Sequence, residues 1–313
     1  MAVKKAFSLV ELTIVIVVLA IVFGISINVS FNIYKNYIQT QTFERVSSEA
    51  ERALDILAFF LSQRAKQSVI ARKDSENFLP IDDEGVNDGY DTIEYVAYDL
   101  ELFNDGFYSA IVDLNASSHN NGLVSPGSKF QQLIDYYSWN SSGPSDDEQE
   151  LDDDTQADQG KVQFDKNFDV IAVFSGVNYS VNDFGYNGAK PNITKVKYKD
   201  NERLQLEKQG VKVSEFYHLS YTAQAIKIID NETTGINKDT DLVIYHNYRP
   251  WNGENYTQGE MDIIARHVSS FRFKAQNGSI MLKICLRDNQ DEFYTLGKNK
   301  NFDFTVCRSR IVM

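Results

Sequence analysis

Between Leu12 and Tyr34 the chain carries no charged residue, a run of 23 residues. As an α-helix this run is about 34 Å long, enough to cross a hydrocarbon core of about 30 Å. It is longer than the apolar region of an ordinary secretory signal, which is about 7–15 residues. Its far end reads Asn28-Val29-Ser30-Phe31-Asn32, with no small-residue cleavage site. Lys4 and Lys5 precede it, and the first charge after it is Lys35. The positive-inside rule then puts the N-terminus in the cytoplasm and the remaining chain across the membrane. Glu11 stands at the near edge of the run, and an acid at a helix centre costs about 2.5–3.5 kcal/mol, less near an interface. Either Glu11 sits at headgroup depth, or a positive partner inside the membrane offsets its desolvation. Cleavage after Ala6 would create such a partner, the new amine of Phe7, four residues before Glu11. A neighbouring copy shifted along the membrane normal would bring that amine onto the acid.

The helix is not expected to stop at the membrane. No proline or glycine occurs between Ile25 and Lys73. Phe43, Val46, Ala50, Leu54, Leu57 and Leu61 recur in steps of three and four, which is one helix face. The pattern predicts one helix from about Phe7 to about Ala71, part in lipid and part in water. Its outer stripe needs cover, from a sheet of the same chain or from a coiled coil with another subunit, and the later strands favour the sheet.

Beyond Arg72 the pattern turns to strands. Expected strands are Thr92 to Leu102, Tyr108 to Leu114, Phe168 to Phe174, Ile193 to Tyr198, Glu215 to Tyr221, Ala225 to Ile229 and Leu242 to Tyr248. Asn104-Asp105-Gly106 reads as a turn between the first two, Lys129 to Tyr137 as a short helix, and Gly259 to Ala265 as helical. Val268 to Ala275 and Ser279 to Leu286 flank Asn277-Gly278, a strong two-residue hairpin signal. Phe302, Phe304 and Val306 alternate in a final strand. The expected fold class is α+β: a long N-terminal helix, half transmembrane and half amphipathic, packed on an antiparallel sheet headgroup.

The net charge is −13 over 313 residues. That argues against a broad nucleic-acid surface, which needs basic patches to release phosphate counterions. Seventeen tyrosines and 20 phenylalanines fit strands rather than disorder. Cys285 and Cys307 are the only cysteines, both on the polar face of their strands. An oxidising compartment and antiparallel neighbouring strands would join them, and the other reading is two free thiols. Residues 141–160 form an acidic loop whose Asp146, Asp147, Asp152, Asp153 and Asp154 are calcium-type ligands. They lack the spacing of a calcium loop, and an acidic run is ordinarily a solvated one. No metal or cofactor is therefore assigned. His119, His218, His246 and His267 form no metalloprotease motif, and neither a nucleophile elbow nor a P-loop occurs, so no enzyme activity is expected. Asp113-Leu114-Asn115-Ala116-Ser117 resembles the extended acceptor of bacterial N-glycosylation, which would modify Asn115.

Lys4-Lys5-Ala6-Phe7-Ser8-Leu9-Val10-Glu11 resembles the processing motif of type IV prepilins and type II secretion pseudopilins. The resemblance implies that a prepilin peptidase removes residues 1–6 and that Phe7 becomes an N-methylphenylalanine. It also implies that Glu11, at the fifth mature position, pairs with a neighbouring subunit's N-terminus during assembly. One residue departs from the pattern: Ala6 stands where the family usually has glycine. Arg249-Pro250-Trp251, the Gly259–Ala265 segment and the Val268–Leu286 hairpin look like the minor branch of the GspJ and PilW type. The resemblance divides the chain into a leader (1–6), a transmembrane helix half (7–34), an amphipathic half (35–72) and a globular headgroup (73–313). It implies a single-pass protein of the bacterial inner membrane with a periplasmic headgroup, later part of a pilus or pseudopilus. Its partners would be other pilin or pseudopilin subunits, the prepilin peptidase and the inner-membrane assembly platform. Secretion, pilus biogenesis and DNA uptake (competence) all stay open as the machine. The other reading is a membrane-anchored periplasmic binding or sensory domain that joins no filament.

Overall fold

A computed structural model describes residues 9–74, 76–135, 169–231, 239–288 and 305–313. It opens with helix α1, Leu9–Ser62, of 54 residues. The strands among the described residues are, in chain order, β1 Ile70–Arg72, β2 Phe78–Pro80, β3 Thr92–Ala97, β4 Leu123–Val124, β5 Val170–Phe174, β6 Thr194–Asp200 and β7 Arg203–Leu206. They continue with β8 Tyr217–Ser220, β9 Thr222–Asn231, β10 Asp239–Tyr248, β11 Glu260–Ala265, β12 Val268–Gln276, β13 Ser279–Arg287 and β14 Thr305–Val312. A short helix α2, Leu100–Asn104, follows β3, and Asp99 caps it by accepting from Leu102 N at 3.0 Å.

The strands form three antiparallel sheets. One has the order β11-β10-β9-β3-β1-β2, a second β12-β13-β14 and a third β4-β7-β6-β5-β8. The fold is therefore α+β, with a long helix packed on antiparallel sheets. Val46, Ala50, Ala53, Leu54, Leu57 and Leu61 of α1 are buried against Leu282 and Ile284 of β13, Val306 and Val312 of β14, and Ile244 of β10. Five of the six residues in the expected stripe are in that core. Phe43 is not; it stays largely exposed, with the Arg308 guanidinium over its ring. A separate core around Phe130, Val170, Phe174, Leu204 and Tyr217 fills the five-stranded sheet. A third, with Ile70, Ile171, Tyr186, Tyr248 and Trp251, joins that sheet to the six-stranded one.

Several elements differ from the sequence reading, each for a tertiary reason. The helix ends at Ser62 rather than near Ala71. Ala65 N bonds Val96 O at 2.8 Å, and Val69 to Arg72 then leave for the sheet, where β1 pairs with β3 and β2. Gly259 to Ala265 is not helical: Glu260–Ala265 is strand β11, paired with β10. Gly259 itself lies so close to the sheet that an added Cβ would stand 2.4 Å from His246 O. The expected strand from Thr92 stops at Ala97, and Asn104-Asp105-Gly106 closes α2 instead of a hairpin. Tyr108 to Leu114 contributes only an isolated bridge, Ile111 to Phe216, because Ala110 turns to φ +58°. At Asn277-Gly278 both residues take positive φ, +52° and +77°, as a two-residue hairpin of this kind requires. The final strand begins at Thr305, and Phe302 and Phe304 lie outside the described residues.

Arg64 pins the end of α1. It is 4 % exposed and donates to Leu61 O at 2.6 Å, to Gly278 O at 3.0 Å and to Met313 O at 3.3 Å. A cation at a helix C-terminus complements the helix dipole. Here it also ties that terminus to the β12–β13 turn and the end of β14. Burial lowers its pKa, but from so high a value that the guanidinium stays charged. Arg64→Ala would orphan these carbonyls and is expected to lower the unfolding free energy by about 3 kcal/mol, read by denaturant titration.

His218 on β8 packs against the rings of Tyr98 at 4.8 Å and Phe103 at 5.6 Å, and its Nδ1 is buried without a hydrogen-bond partner. Burial depresses its pKa. The unfolded chain therefore binds this proton at a higher pH than the native state, and this histidine costs stability as pH falls through the ordinary histidine range. His218→Gln is expected to flatten the fall in Tm between neutral and mildly acidic pH.

Candidate functional site

The feature that separates this chain from a soluble α+β domain is the first half of α1. From Leu9 to Tyr37 every side chain is exposed, and the helix is long and apolar enough to span a membrane. Two of its hydroxyl side chains turn back to the backbone. Thr13 Oγ1 donates to Val10 O and Ser26 Oγ to Val22 O, both at 2.9 Å. Such back-bonding satisfies a hydroxyl where no water is at hand. Glu11 is the one acidic or basic residue between Leu9 and Tyr34, and it lies in the first described turn of α1. Ala6 and Phe7 lie outside the described residues, as do residues 141–160, so the structure places Glu11 alone of the processing and assembly set.

The helix passes from open to covered between Ile38 and Val46, and charge pairs mark the junction. Arg45 bonds Asp288 at 2.5 Å and Glu49 at 3.3 Å. Arg308 of β14 reaches Glu51 at 3.1 Å and Ser47 at 2.5 Å, and Arg310 pairs with Asp55. Apart from the nearly buried Asp288, these groups are half-open to solvent, where such a pair contributes little on its own. Their effect is to fix the register of β14 along the helix.

Cys285 and Cys307 stand directly opposite each other on β13 and β14, and their sulfurs are bonded at 2.09 Å. They lie on the face of the sheet turned away from the helix, behind Ile284, Leu286 and Val306. The bridge spans 22 positions and holds β14 to β13 across the segment between them. In the chain-entropy account a bridge of this span contributes roughly 3 kcal/mol. Replacing both cysteines by alanine is expected to lower stability by about that amount and to remove the difference between oxidised and reduced samples.

Sequence reasoning missed a polar hollow of about 470 Å3 lined by Arg72, Glu76, Glu94, Tyr186, Asn187 and Glu254. At its base Arg72 Nε donates to Glu94 Oε2 at 2.7 Å, Nη2 lies 2.5 Å from the same oxygen, and Tyr248 Oη donates to Oε1 at 3.0 Å. Arg72 also donates to Asn187 Oδ1 at 2.6 Å, and Asn187 is held in the left-handed region at φ +56°. Burial pushes the Glu94 carboxyl above its ordinary range, against the pull of Arg72 and Tyr248. Its partners occupy both carboxylate oxygens, so the pair acts as a lock between β1, β3 and β10. The only signal in the sequence was an acid at the centre of an otherwise apolar strand, Thr92-Ile93-Glu94-Tyr95-Val96. Asn115 is exposed in a turn closed by Asp113, whose Oδ1 accepts from Asn115 N and Ala116 N at 3.0 Å. Among the described residues no group of three or more His, Cys, Asp or Glu is placed to hold a metal ion.

Comparison with protein-family models, with curated proteins and with solved structures found no match to this chain.

Proposed function

We propose that this chain is a non-enzymatic minor subunit of a type IV pilus or of a type II secretion or DNA-uptake pseudopilus. The observation that supports it best is the single continuous helix. Its first half is apolar and uncovered with Glu11 at the start, and its second half is buried on a sheet headgroup. A helix so divided suits a subunit that waits in a membrane and then packs that same apolar half against its neighbours. Glu11 then has a reason to be at the edge of the span: a carboxylate in an apolar surrounding gains most from a specific cation, and the Phe7 amine of the next subunit supplies one. In this reading the N-terminus is cytoplasmic, the headgroup is periplasmic, and the peptidase cuts between Ala6 and Phe7.

The test is the mass of the N-terminal peptide of the protein taken from its native membrane. A chain beginning at methylated Phe7 is expected. One beginning at Met1 or Ala2 would leave a membrane-anchored domain that joins no filament. Glu11→Val is expected to leave insertion and cleavage intact while abolishing incorporation into filaments. Normal recruitment of that variant would remove the assembly role.

A further inference from the structure

The two faces of the three-stranded sheet differ in how far their cations are matched by acids. Toward the helix, Arg308 and Arg310 each meet an acid, Glu51 and Asp55. On the outward face, Arg272 of β12 stands directly opposite Lys283 of β13, and Lys274 stands opposite Met281. Like charges directly opposite on a sheet are destabilising. Lys274 and Lys283 have no ion-pair partner among the described residues, and both are exposed. Beside them Met281 pairs across to Ile311, and these side chains are 50 % and 60 % exposed. Of the three cations around this apolar pair, Arg272 lies 3.8 Å from the Asp88 carboxylate, which leaves Lys274 and Lys283 as the two without an acid.

The rest of the chain holds the complement. From Asp74 to Ser128 there are twelve acidic residues and no lysine or arginine, whereas from Arg266 to Met313 there are nine basic residues and four acidic ones. Within the acidic tract, the loop after β2 exposes Asp82, Asp83, Glu84 and Asp88. Inside one molecule that loop already touches the edge of the basic face, where Arg272 Nη1 donates to Asp88 O at 3.1 Å.

We propose that the outward face of β12–β14 docks the acidic 82–91 loop of a second copy of this chain, with Met281 and Ile311 at the centre of the contact and Lys274 and Lys283 around it. Charge complementarity selects the occupant. A chain of net charge −13 has few basic surfaces, so a contact through this one brings opposite charges together where random contacts would bring like ones. This reading goes beyond the assembly role of Glu11 and does not depend on it, because the headgroup contact needs neither cleavage nor a filament.

The test is self-association of the full chain in detergent micelles, followed by sedimentation at low and high salt. Wild type is expected to self-associate and to weaken as salt rises. Lys274→Glu with Lys283→Glu, and separately Asp82→Lys with Asp83→Lys, are expected to weaken association about tenfold or more. The four changes combined are expected to restore it, which a merely structural effect of either pair would not do. These side chains are exposed, and an unchanged Tm would show that each variant folds. A monomeric wild type, association indifferent to these charges, or no rescue in the combined variant would each overturn the proposal. N-terminal processing is read independently of all three.

Discussion

Everything in this molecule hangs on the contact between the second half of α1 and the β13–β14 pair. The helix brings a stripe of aliphatic side chains that would be unstable in water, and the sheet brings Leu282, Ile284, Val306 and Val312 to cover them. Each such side chain contributes about 1.5–3 kcal/mol on burial, before the entropy of ordering the chain is subtracted. This contact joins the first element of the sequence to the last strand. The headgroup is therefore closed by its two ends, with the disulfide on the far side of the same sheet and Arg64 at the end of the helix. The apolar half of the helix then leaves the headgroup with a defined direction.

The polar groups divide into two kinds. Those at the helix–sheet junction, Arg45, Arg308 and Arg310, are half-exposed and set register more than they add stability. Those in the interior, Arg64 and the Arg72–Glu94 pair, are costly to bury and are kept by geometry that gives each charge several partners. The interior pair also carries the rings of Phe78 and Tyr256 against the guanidinium, at 5.5 and 5.7 Å. Removing one partner of the Arg72–Glu94 pair would leave an uncompensated buried charge, and removing Arg64 would orphan the carbonyls it binds. These sites hold together sheets whose strands come from distant parts of the chain.

Much of this is legible in the order of the residues. The uncharged run reads as a helix long enough to cross a membrane. The three-and-four spacing from Val46 to Leu61 marks which side of it is covered, and Asn277-Gly278 marks a hairpin. Those signals are local: a period, a length, a backbone conformation that few residue pairs accept. The misreadings have one cause in common. Met261 and Ile263 alternate with Asp262 as a strand does, but the six-residue segment is too short for period to decide against helix, and its pairing with β10 decided it. Val69 to Arg72 carries no breaker, and it left the helix because β3 offered a partner.

The sequence by itself determined the long helix, its apolar half, the acid at its edge and the face that needs cover, because each follows from residues within a few turns of one another. Only the tertiary structure decided where the helix ends, which strands share a sheet and that Cys285 faces Cys307. It alone paired Arg72 with Glu94, and it alone set Lys274 and Lys283 on an open face while Arg308 and Arg310 meet acids on α1. Those outcomes depend on contacts between residues far apart in the chain, and such pairings are chosen by the whole core, not by any local preference.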